Sequence, residues 1–339
     1  MISLKAACVV AAGLAALPTA ARSADFYAGK QMILIIGADT GGGYDAQGRL
    51  MARHLGQFIP GHPNIVVQNM PAAGSLVAAN TLYAISPKDG TTFGFVQRGV
   101  LTAKITNPSG VHYEVDKFNW IGNLSTETGV VVAWHTSKVK TAADLFKREF
   151  IVGGNGPNID TETTPRLLNA LAGTKFKIVS GYKGTTDIVL AMERGEVDGL
   201  GDWSWSNIQT RKPDYLRDHK IVLLMQSALH KAPDLPNVPL ALDFAKNETD
   251  RKVMELFFSQ KTAARPVLLP PGVPAERVAI LRAAFMKMAQ DPQFRKDADK
   301  SKLEIDPTSG ESVEAIVKLI ASAPPDVLKR LTAALAVQK

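Results

Sequence analysis

The chain has 339 residues, of which 45% are hydrophobic and 21% are charged; this composition is that of a globular protein and excludes a largely disordered one. The formal net charge is +7, but the sequence contains no block of five or more like charges and no basic stripe interleaved with aromatic residues, so we expect no nucleic-acid partner. A single cysteine excludes a disulfide framework and a cysteine-based metal site.

The first 23 residues have the pattern of a cleavable secretory signal peptide. Lys5 precedes an apolar stretch of mostly small residues (6–17), and residues 21–23 place small side chains at the −3 and −1 positions of a cleavage site. The stretch is shorter than the ~20 residues that span a bilayer, although a retained membrane anchor is the alternative. Cleavage removes Lys5, Arg22 and the single cysteine, Cys8, and lowers the formal charge from +7 to +5.

Strand and helix patterns alternate along the rest of the chain. A continuous apolar run at 32–36 predicts a strand buried on both faces, and apolar residues on one helical face predict a helix at 46–58. Further strands are predicted at 65–67, 92–96, 130–134, 150–152, 176–179, 197–200, 221–225 and 267–269. Further helices are predicted at 74–84, from Thr141, and at 161–171, 185–194, 250–259, 274–290 and 309–320. This alternation indicates βαβ units and mainly parallel sheets in an α/β protein.

The length and the two runs of alternating elements predict two lobes. The 316 residues that follow the leader exceed what one ordinary core holds. We expect residues 24–125 together with 236–339 to form lobe 1 and residues 126–235 to form lobe 2, with two crossings between them.

Four glycine-rich or polar loops follow predicted strands and precede predicted helices. Ligands of open α/β sheets bind at the carboxyl ends of strands, and the free N–H groups of a helix N-terminus attract carboxylate or phosphate. These loops predict a shared cleft, with tight turns that bind nothing as the alternative. The candidate ligand-binding residues in them are Thr40, Gly41, Gly42, Gly43, Asp45, Ala72, Ala73, Gly74, Ser75, Gly154, Asn155, Gly156, Asp160, Thr161, Tyr182 and Gly184. Asp45 is interpreted as a helix-capping residue rather than a catalytic acid.

Three more candidates lie after predicted strands. Arg98 follows the strand at 92–96, where a guanidinium can grip a carboxylate with two hydrogen bonds; a surface arginine is the alternative. Asp202 and Trp203 follow the strand at 197–200, and the indole either contacts the ligand or packs in the core.

Signatures of enzymes and of nucleotide-binding proteins are missing. The sequence has no G-x-G-x-x-G fingerprint, no Walker loop, no G-x-S-x-G and no H-E-x-x-H. The S-x-x-K at 180–183 lacks the companion motifs of penicillin-recognising enzymes and is interpreted as chance. Asp198 and Asp202 are interpreted as surface or hinge residues rather than as a catalytic pair. We therefore expect no catalytic residue, no metal site and no cofactor.

Six short motifs, in this order, resemble those of the substrate-binding proteins of tripartite tricarboxylate transporters, the Bug family. They are G-G-G-x-D at 41–45, N-x-P-x-A-G at 69–74, P-x-D-G at 87–90, Y-x-G at 182–184 with G-x-V-D at 195–198, P-x-V-P at 236–239 and P-x-G-x-P at 270–274. The likeness runs from about Asp25 to the C-terminus. The second loop departs from the family's usual P-G-A-G-G, and the added Cβ of Ala72 is expected to narrow that side of the cleft. The segment 202–205 is not a general family signature either.

The resemblance implies a type II periplasmic binding-protein fold, with two lobes, each with a central sheet flanked by helices, and a ligand cleft between them. It implies that backbone groups of the first and third loops, with water, hold a ligand carboxylate. The expected partners are a small organic acid and the membrane subunits of a transporter. We expect a periplasmic monomer that closes on its ligand by hinge motion.

Two other functions stay open from the sequence. A sensory module that presents a ligand to a membrane kinase would have the same fold. An exported enzyme acting on a carboxylated substrate would need a titratable pair in the cleft, which the sequence does not clearly offer. The sequence does not identify the acid.

Overall fold

The computed structural model describes residues 25–106, 108–157 and 159–336, so the expected leader at 1–23 lies outside the described residues. Within these ranges, no helix is both long enough and apolar enough to cross a membrane. Two β-sheets with flanking helices form two lobes, which two crossing segments (124–128 and 228–265) connect. This confirms the predicted two-lobe α/β fold.

The first sheet forms the centre of lobe 1. Its strands are β1 (Gln31–Ile36), β2 (Asn64–Asn69), β3 (Thr92–Phe95), β4 (Asn119–Asn123), β10 (Pro266–Leu269) and β11 (Thr308–Ser309). Their spatial order is β11-β4-β10-β3-β1-β2. β1 pairs in parallel with β2 and β3, with Ile33 opposite Val66 and Thr92, whereas β10 is antiparallel to both β3 and β4.

The second sheet forms the centre of lobe 2. Its strands are β5 (Gly129–Trp134), β6 (Phe150–Gly154), β7 (Phe176–Ser180), β8 (Gly199–Ser204) and β9 (Ile221–Ser227), in the spatial order β7-β6-β8-β5-β9. β6 pairs in parallel with β7 and β8, and β5 pairs antiparallel with β8 and β9.

Both sheets are mixed, which corrects the prediction of mainly parallel sheets. The reason lies in the crossing segments. β5 and β10 each enter their sheet from a crossing segment, so each begins at the cleft edge of its sheet. A strand that begins at the cleft must run opposite to the neighbours that end there.

Helices cover the sheets. In lobe 1, α1 (Gly43–Leu55) packs on β1 and β2, α2 (Leu76–Ala84) packs on β3, and α9 (Ala275–Gln290) and α11 (Gly310–Ala321) pack on β4. In lobe 2, α4 (Asp160–Leu171) and α5 (Thr185–Glu193) pack on β6 and β8. The remaining helices are α3 (Ala103–Thr106), α6 (Trp205–Arg211), α7 (Pro213–Arg217), α8 (Glu248–Ser259), α10 (Pro292–Lys300) and α12 (Pro325–Leu335).

The C-terminal helix α12 bridges the two lobes. It packs on α3 of lobe 1, on α8 of the second crossing and on α4 of lobe 2. Leu331 and Leu335 of α12 belong to the same buried apolar cluster as Leu168 of α4 and Ala103 of α3. A continuous hydrophobic core therefore passes behind the cleft from one lobe to the other.

The two crossing segments lie side by side. The amide of Leu124 donates to the carbonyl of Arg265, and the amide of Glu127 donates to the carbonyl of Lys261, both at 3.0 Å. The expected lobe boundary at 235/236 falls between β9 and β10 and stays a prediction. The side-chain amide of Gln226 donates to the carbonyls of Leu235 (2.9 Å) and Val238 (2.7 Å), which holds this part of the chain against β9.

Candidate ligand-binding site

A cavity of about 200 Å³ lies between the lobes. Lobe 1 contributes the loop before α2 and the 3-10 turn after β3 (Arg98–Leu101). Lobe 2 contributes the N-terminal residues of α4 and α5 and the end of β8, and the crossing segments contribute Glu127, Gln260 and Arg265. Residues that are distant in sequence therefore form one concave site at the cleft edge of both sheets.

The structure brings seven of the candidate residues together at this cavity. They come from four of the predicted places: the second loop, the end of β3, the end of β8 and the start of α4. These residues are Ala73, Gly74, Arg98, Asp160, Thr161, Asp202 and Trp203.

Tyr44 of the first loop lines this cavity, whereas the candidate residues of that loop lie beside it. Thr40, Gly41 and Gly42 precede α1, and Gly43 borders a small adjoining cavity of about 30 Å³. Asp45, in the first turn of α1, accepts hydrogen bonds from the amide of Gly41 (2.9 Å) and from the side chains of Asn69 (2.8 Å) and Arg49 (2.9 Å). Burial by itself raises the pKa of the Asp45 carboxyl, but these hydrogen bonds outweigh it and hold the pKa below its ordinary value. Asp45 thus fixes the shape of the loop.

The second loop has an unusual backbone. Ala72, Ala73, Gly74 and Ser75 all have positive φ, at 114°, 47°, 64° and 74°. Non-glycine residues rarely adopt such conformations, so surrounding contacts must hold them. The fully buried Ser75 hydroxyl donates to the carbonyl of Gly37 (2.6 Å) and accepts from the amide of Gln97 (2.9 Å). Ser75 therefore ties this loop to the chain just before Arg98, while Ala72 lies outside the cavity lining.

The third and fourth loops support the cavity from behind. The side chain of Asn155 bonds to Thr161, and the amide of Gly156 donates to the carboxylate of Glu162 (3.0 Å). The carbonyl of Gly154 accepts from the amides of Gly181 (3.1 Å) and Tyr182 (3.2 Å). Gly184 is the N-cap of α5, directly before the cavity-lining Thr185.

Arg98 is an ion-pairing residue and is not on the surface. Its guanidinium donates to Glu127 at 2.6 Å and also to Asp160, and only 15% of its side chain is exposed. Arg98 belongs to lobe 1, Glu127 to the first crossing and Asp160 to lobe 2. The Arg98–Asp160 ion pair therefore joins the two lobes across the cleft.

A second set of buried charges lies next to this pair. The ammonium of Lys261 donates to Asp202 (2.7 Å) and to the hydroxyl of Ser227 (3.0 Å). The same carboxylate oxygen of Asp202 accepts from Thr164 and Ser227, both at 2.7 Å. Asp202 is 5% exposed, so its assignment to the surface is wrong; it is a buried partner of a lysine from the second crossing. The Asp198 carboxylate instead accepts from the amide of Ile151 at 2.9 Å.

The charges in this cluster strongly affect one another. Burial by itself raises the pKa of the Glu127 carboxyl, but Arg98, Arg265 and Lys261 lower it to about 2. Burial lowers the pKa of the Lys261 ammonium, against the attraction of Asp202. The pKa of Arg98 lies above its ordinary value because the attraction of Glu127 outweighs burial. The cluster therefore combines three basic and three acidic side chains, and these are Arg98, Lys261, Arg265, Glu127, Asp160 and Asp202.

Sequence reasoning missed Glu127, Lys261 and Arg265. All three lie in the crossing segments, where no motif marks them. The available signal for Glu127 and Arg265 was a charged residue one or two positions before a strand that begins at the cleft. Trp203 belongs to the core of lobe 2, with its ring centroid 6.3 Å from that of Tyr215, and it also borders the cavity; its contact with a ligand stays a prediction.

Comparison with known proteins identifies the family. Residues 48–324 match the model of the tripartite tricarboxylate transporter family receptor, TctC. The chain belongs to this family. No curated protein matches the chain significantly.

Solved structures of TctC-like proteins share the fold. A TctC solute-binding protein from Polaromonas superposes with a TM-score of 0.67 at 17% identity, covering 91% of this chain and 98% of that one. An R. palustris protein with adipate superposes with a TM-score of 0.66 at 18% identity, covering 89% of this chain and 97% of that one. MatC from Rhodopseudomonas palustris, with bound malate, superposes with a TM-score of 0.62 at 19% identity, covering 90% of this chain and 99% of that one. At these identities the likeness establishes the fold, and the ligands are those of the other proteins.

Proposed function

We propose that this TctC-family protein is a periplasmic receptor that binds a small organic carboxylate in the interlobe cavity. The observation that carries the proposal is the cavity of about 200 Å³ with Arg98 on its wall, between lobes that two adjacent segments connect. Concave sites with a few converging polar groups at a domain interface are typical of small-molecule binding. The adipate and malate of the two R. palustris neighbours support a carboxylate.

Several features of the cavity suit an anionic group. Asp160 and Thr185 are the first residues of α4 and α5, so the positive ends of both helix dipoles point to the cavity. The Arg98 guanidinium can donate two parallel hydrogen bonds to a carboxylate. Leu76, Ile159 and Phe257 give the lining an apolar part for the carbon skeleton.

The proposal includes hinge closure and delivery to a transporter. Rotation about the paired crossing segments would separate Arg98 from Asp160 and open the cavity to solvent. The expected leader and the family support export to the periplasm and release of the acid to the membrane subunits of a tripartite transporter.

We propose binding without turnover. An efficient general base has a pKa near the working pH. The Glu127 carboxyl, with a pKa of about 2, is a poor proton acceptor at neutral pH. The Asp202 carboxylate is already the acceptor for a lysine and two hydroxyl groups.

A thermal-shift screen against aliphatic and aromatic mono-, di- and tricarboxylates tests the proposal. A ligand that binds only the folded state stabilises it by ~2.7 kcal/mol at a hundredfold excess over its Kd. We expect a selective upward shift that disappears when the carboxylate is esterified. No shift from any acid, with folded protein freed of carried-over ligand, would contradict the proposal, and conversion of a bound acid would contradict binding without turnover.

A further inference from the structure

The basic and acidic side chains of the charged cluster at the cavity are equal in number. Arg98, Lys261 and Arg265 are matched by three carboxylates that lie within the same cluster. A ligand that brings a carboxylate and nothing else adds an uncompensated negative charge to a largely buried site. Unpaired buried charges are among the costliest groups in proteins, so the balance itself restricts the ligand.

Two of the three carboxylates each hold several buried partners. Asp202 is held by Lys261, Thr164 and Ser227, and its side chain is 3% exposed. Glu127 is paired with both Arg98 and Arg265 and is 10% exposed. Neither carboxylate can change partner without leaving a buried cation unpaired.

Asp160 is different. Its side chain is 19% exposed, against 3% for Asp202 and 10% for Glu127, and it contacts Arg98 from the opposite lobe. Arg98, the partner of Asp160, has an unused hydrogen-bond donor. Within the described ranges its Nε is buried and has no hydrogen-bond partner. Asp160, the most exposed of the three carboxylates, and Arg98, which has an unused donor, therefore meet at the cavity from opposite lobes.

We infer that the ligand is a small α-amino acid, whose carboxylate pairs with Arg98 and whose ammonium pairs with Asp160. This inference rests on the proposed function and narrows its ligand class. Because Arg98 and Asp160 are in direct contact, the two groups that replace this contact must be close together, as they are on a single α-carbon. Inserting them keeps every charge paired. A simple carboxylate would take Arg98 away from Asp160 and leave that carboxylate with only Lys261, which is already bound to Asp202.

Calorimetric titration with matched compounds tests the inference. Each α-amino acid is compared with the acid that lacks its amino group, for example L-leucine with 4-methylpentanoate and L-glutamate with glutarate. We expect at least one amino acid to bind, and its deaminated partner to bind at least about tenfold more weakly, because a charge-assisted hydrogen bond is lost. Equal or tighter binding of the deaminated acid would overturn the inference and leave the carboxylate receptor intact. Binding of neither class would overturn both.

Substitution of Asp160 tests the assigned partner. We expect D160N to weaken binding of the amino acid by at least about tenfold and to leave binding of the deaminated acid unchanged or tighter. The preference for the amino acid over the deaminated acid is then abolished. D160E should retain the preference. The matched control is D326N, which makes the same change in the first turn of α12, at an exposed position. An equal loss for both ligands in D160N would overturn the role of Asp160, whereas the comparison of ligands on the unmodified protein does not depend on how well the variant folds.

Discussion

The amide of Glu127 donates a 3.0 Å hydrogen bond to the carbonyl of Lys261. This bond joins the two segments that connect the lobes and fixes an acidic and a basic residue at their contact. Their side chains extend from there to Arg98 on one side and to Asp202 on the other. The contact between the crossing segments is therefore also the centre of the charged cluster, so stability and the proposed binding should depend on the same residues.

Replacing Glu127 with glutamine should destabilise the protein by about 3 kcal/mol at pH 7, because Arg98 and Arg265 lose their shared anion. Folding lowers the pKa of Glu127 from 4.5 to about 2, so its contribution is complete above about pH 5 and is lost as the pH falls through the folded-state value. Urea unfolding at several pH values should show the difference between the two proteins shrinking toward acid. The control E149Q alters an exposed glutamate, 59% accessible, and should show neither effect. A difference that does not change with pH would contradict this account.

Gly129 makes room for the second set of charges. A Cβ at this position would overlap with the carboxylate of Asp202, the ammonium of Lys261 and the hydroxyl of Ser227. G129A should therefore lower the free energy of unfolding by about 3 kcal/mol or more, since the displaced groups cannot pair elsewhere. Thermal unfolding measures this loss. The control G99A adds the same methyl group where no atom lies within 4 Å, and it should be nearly neutral. Equal stabilities of the two variants would show that the cluster can rearrange.

Lys261 and Asp202 should be energetically coupled. K261M leaves a buried carboxylate unpaired and should cost about 3–5 kcal/mol, and D202N should cost a similar amount. In the double variant neither charge is left alone, so its destabilisation should be smaller than the sum of the two single effects by at least about 1 kcal/mol. Chemical denaturation of all four proteins completes the cycle. Simple additivity would show that the 2.7 Å contact contributes no net interaction.

Removing the Ser75 hydroxyl should destabilise the second loop. S75A leaves the Gln97 amide and the Gly37 carbonyl without their partner, at a cost of about 2 kcal/mol, and alanine is also poorly suited to the φ of 74°. S75G loses the same hydrogen bonds but relieves the backbone strain, so it should be less destabilised than S75A in thermal melts. The reverse order would mean that φ at this position is not strained.

The strands that carry uninterrupted apolar runs could be predicted from the sequence, as β1, β5 and β9 show. β4 was not predicted, because Trp120 and Ile121 are its only large apolar residues between asparagines and a glycine, and packing on β10 decides its conformation. β8 lies later in the chain than the predicted 197–200, because Gly199, Gly201 and Asp202 interrupt any apolar pattern there. α10 is polar throughout most of its length and is marked mainly by its N-cap, Asp291.

Site residues could be predicted from the sequence where a loop motif or the end of a strand marks them. Ion pairs between residues that only the tertiary fold brings together could not be predicted. Arg98 and Asp160 follow the ends of strands, which sequence patterns can locate. Glu127 and Lys261 become neighbours only because the two crossings hydrogen-bond to each other. The balance of charge in the cleft depends on this long-range contact between the crossings, which the local sequence does not predict.

The helix α12 has a consequence for how the receptor opens. It packs on α3 of one lobe and on α4 of the other, so a motion that separates these two helices exposes apolar surface. Hydration of apolar surface raises the heat capacity and costs less free energy in the cold. The opening equilibrium should therefore carry its own heat-capacity change, and cooling should shift it toward the open form even when no ligand is present.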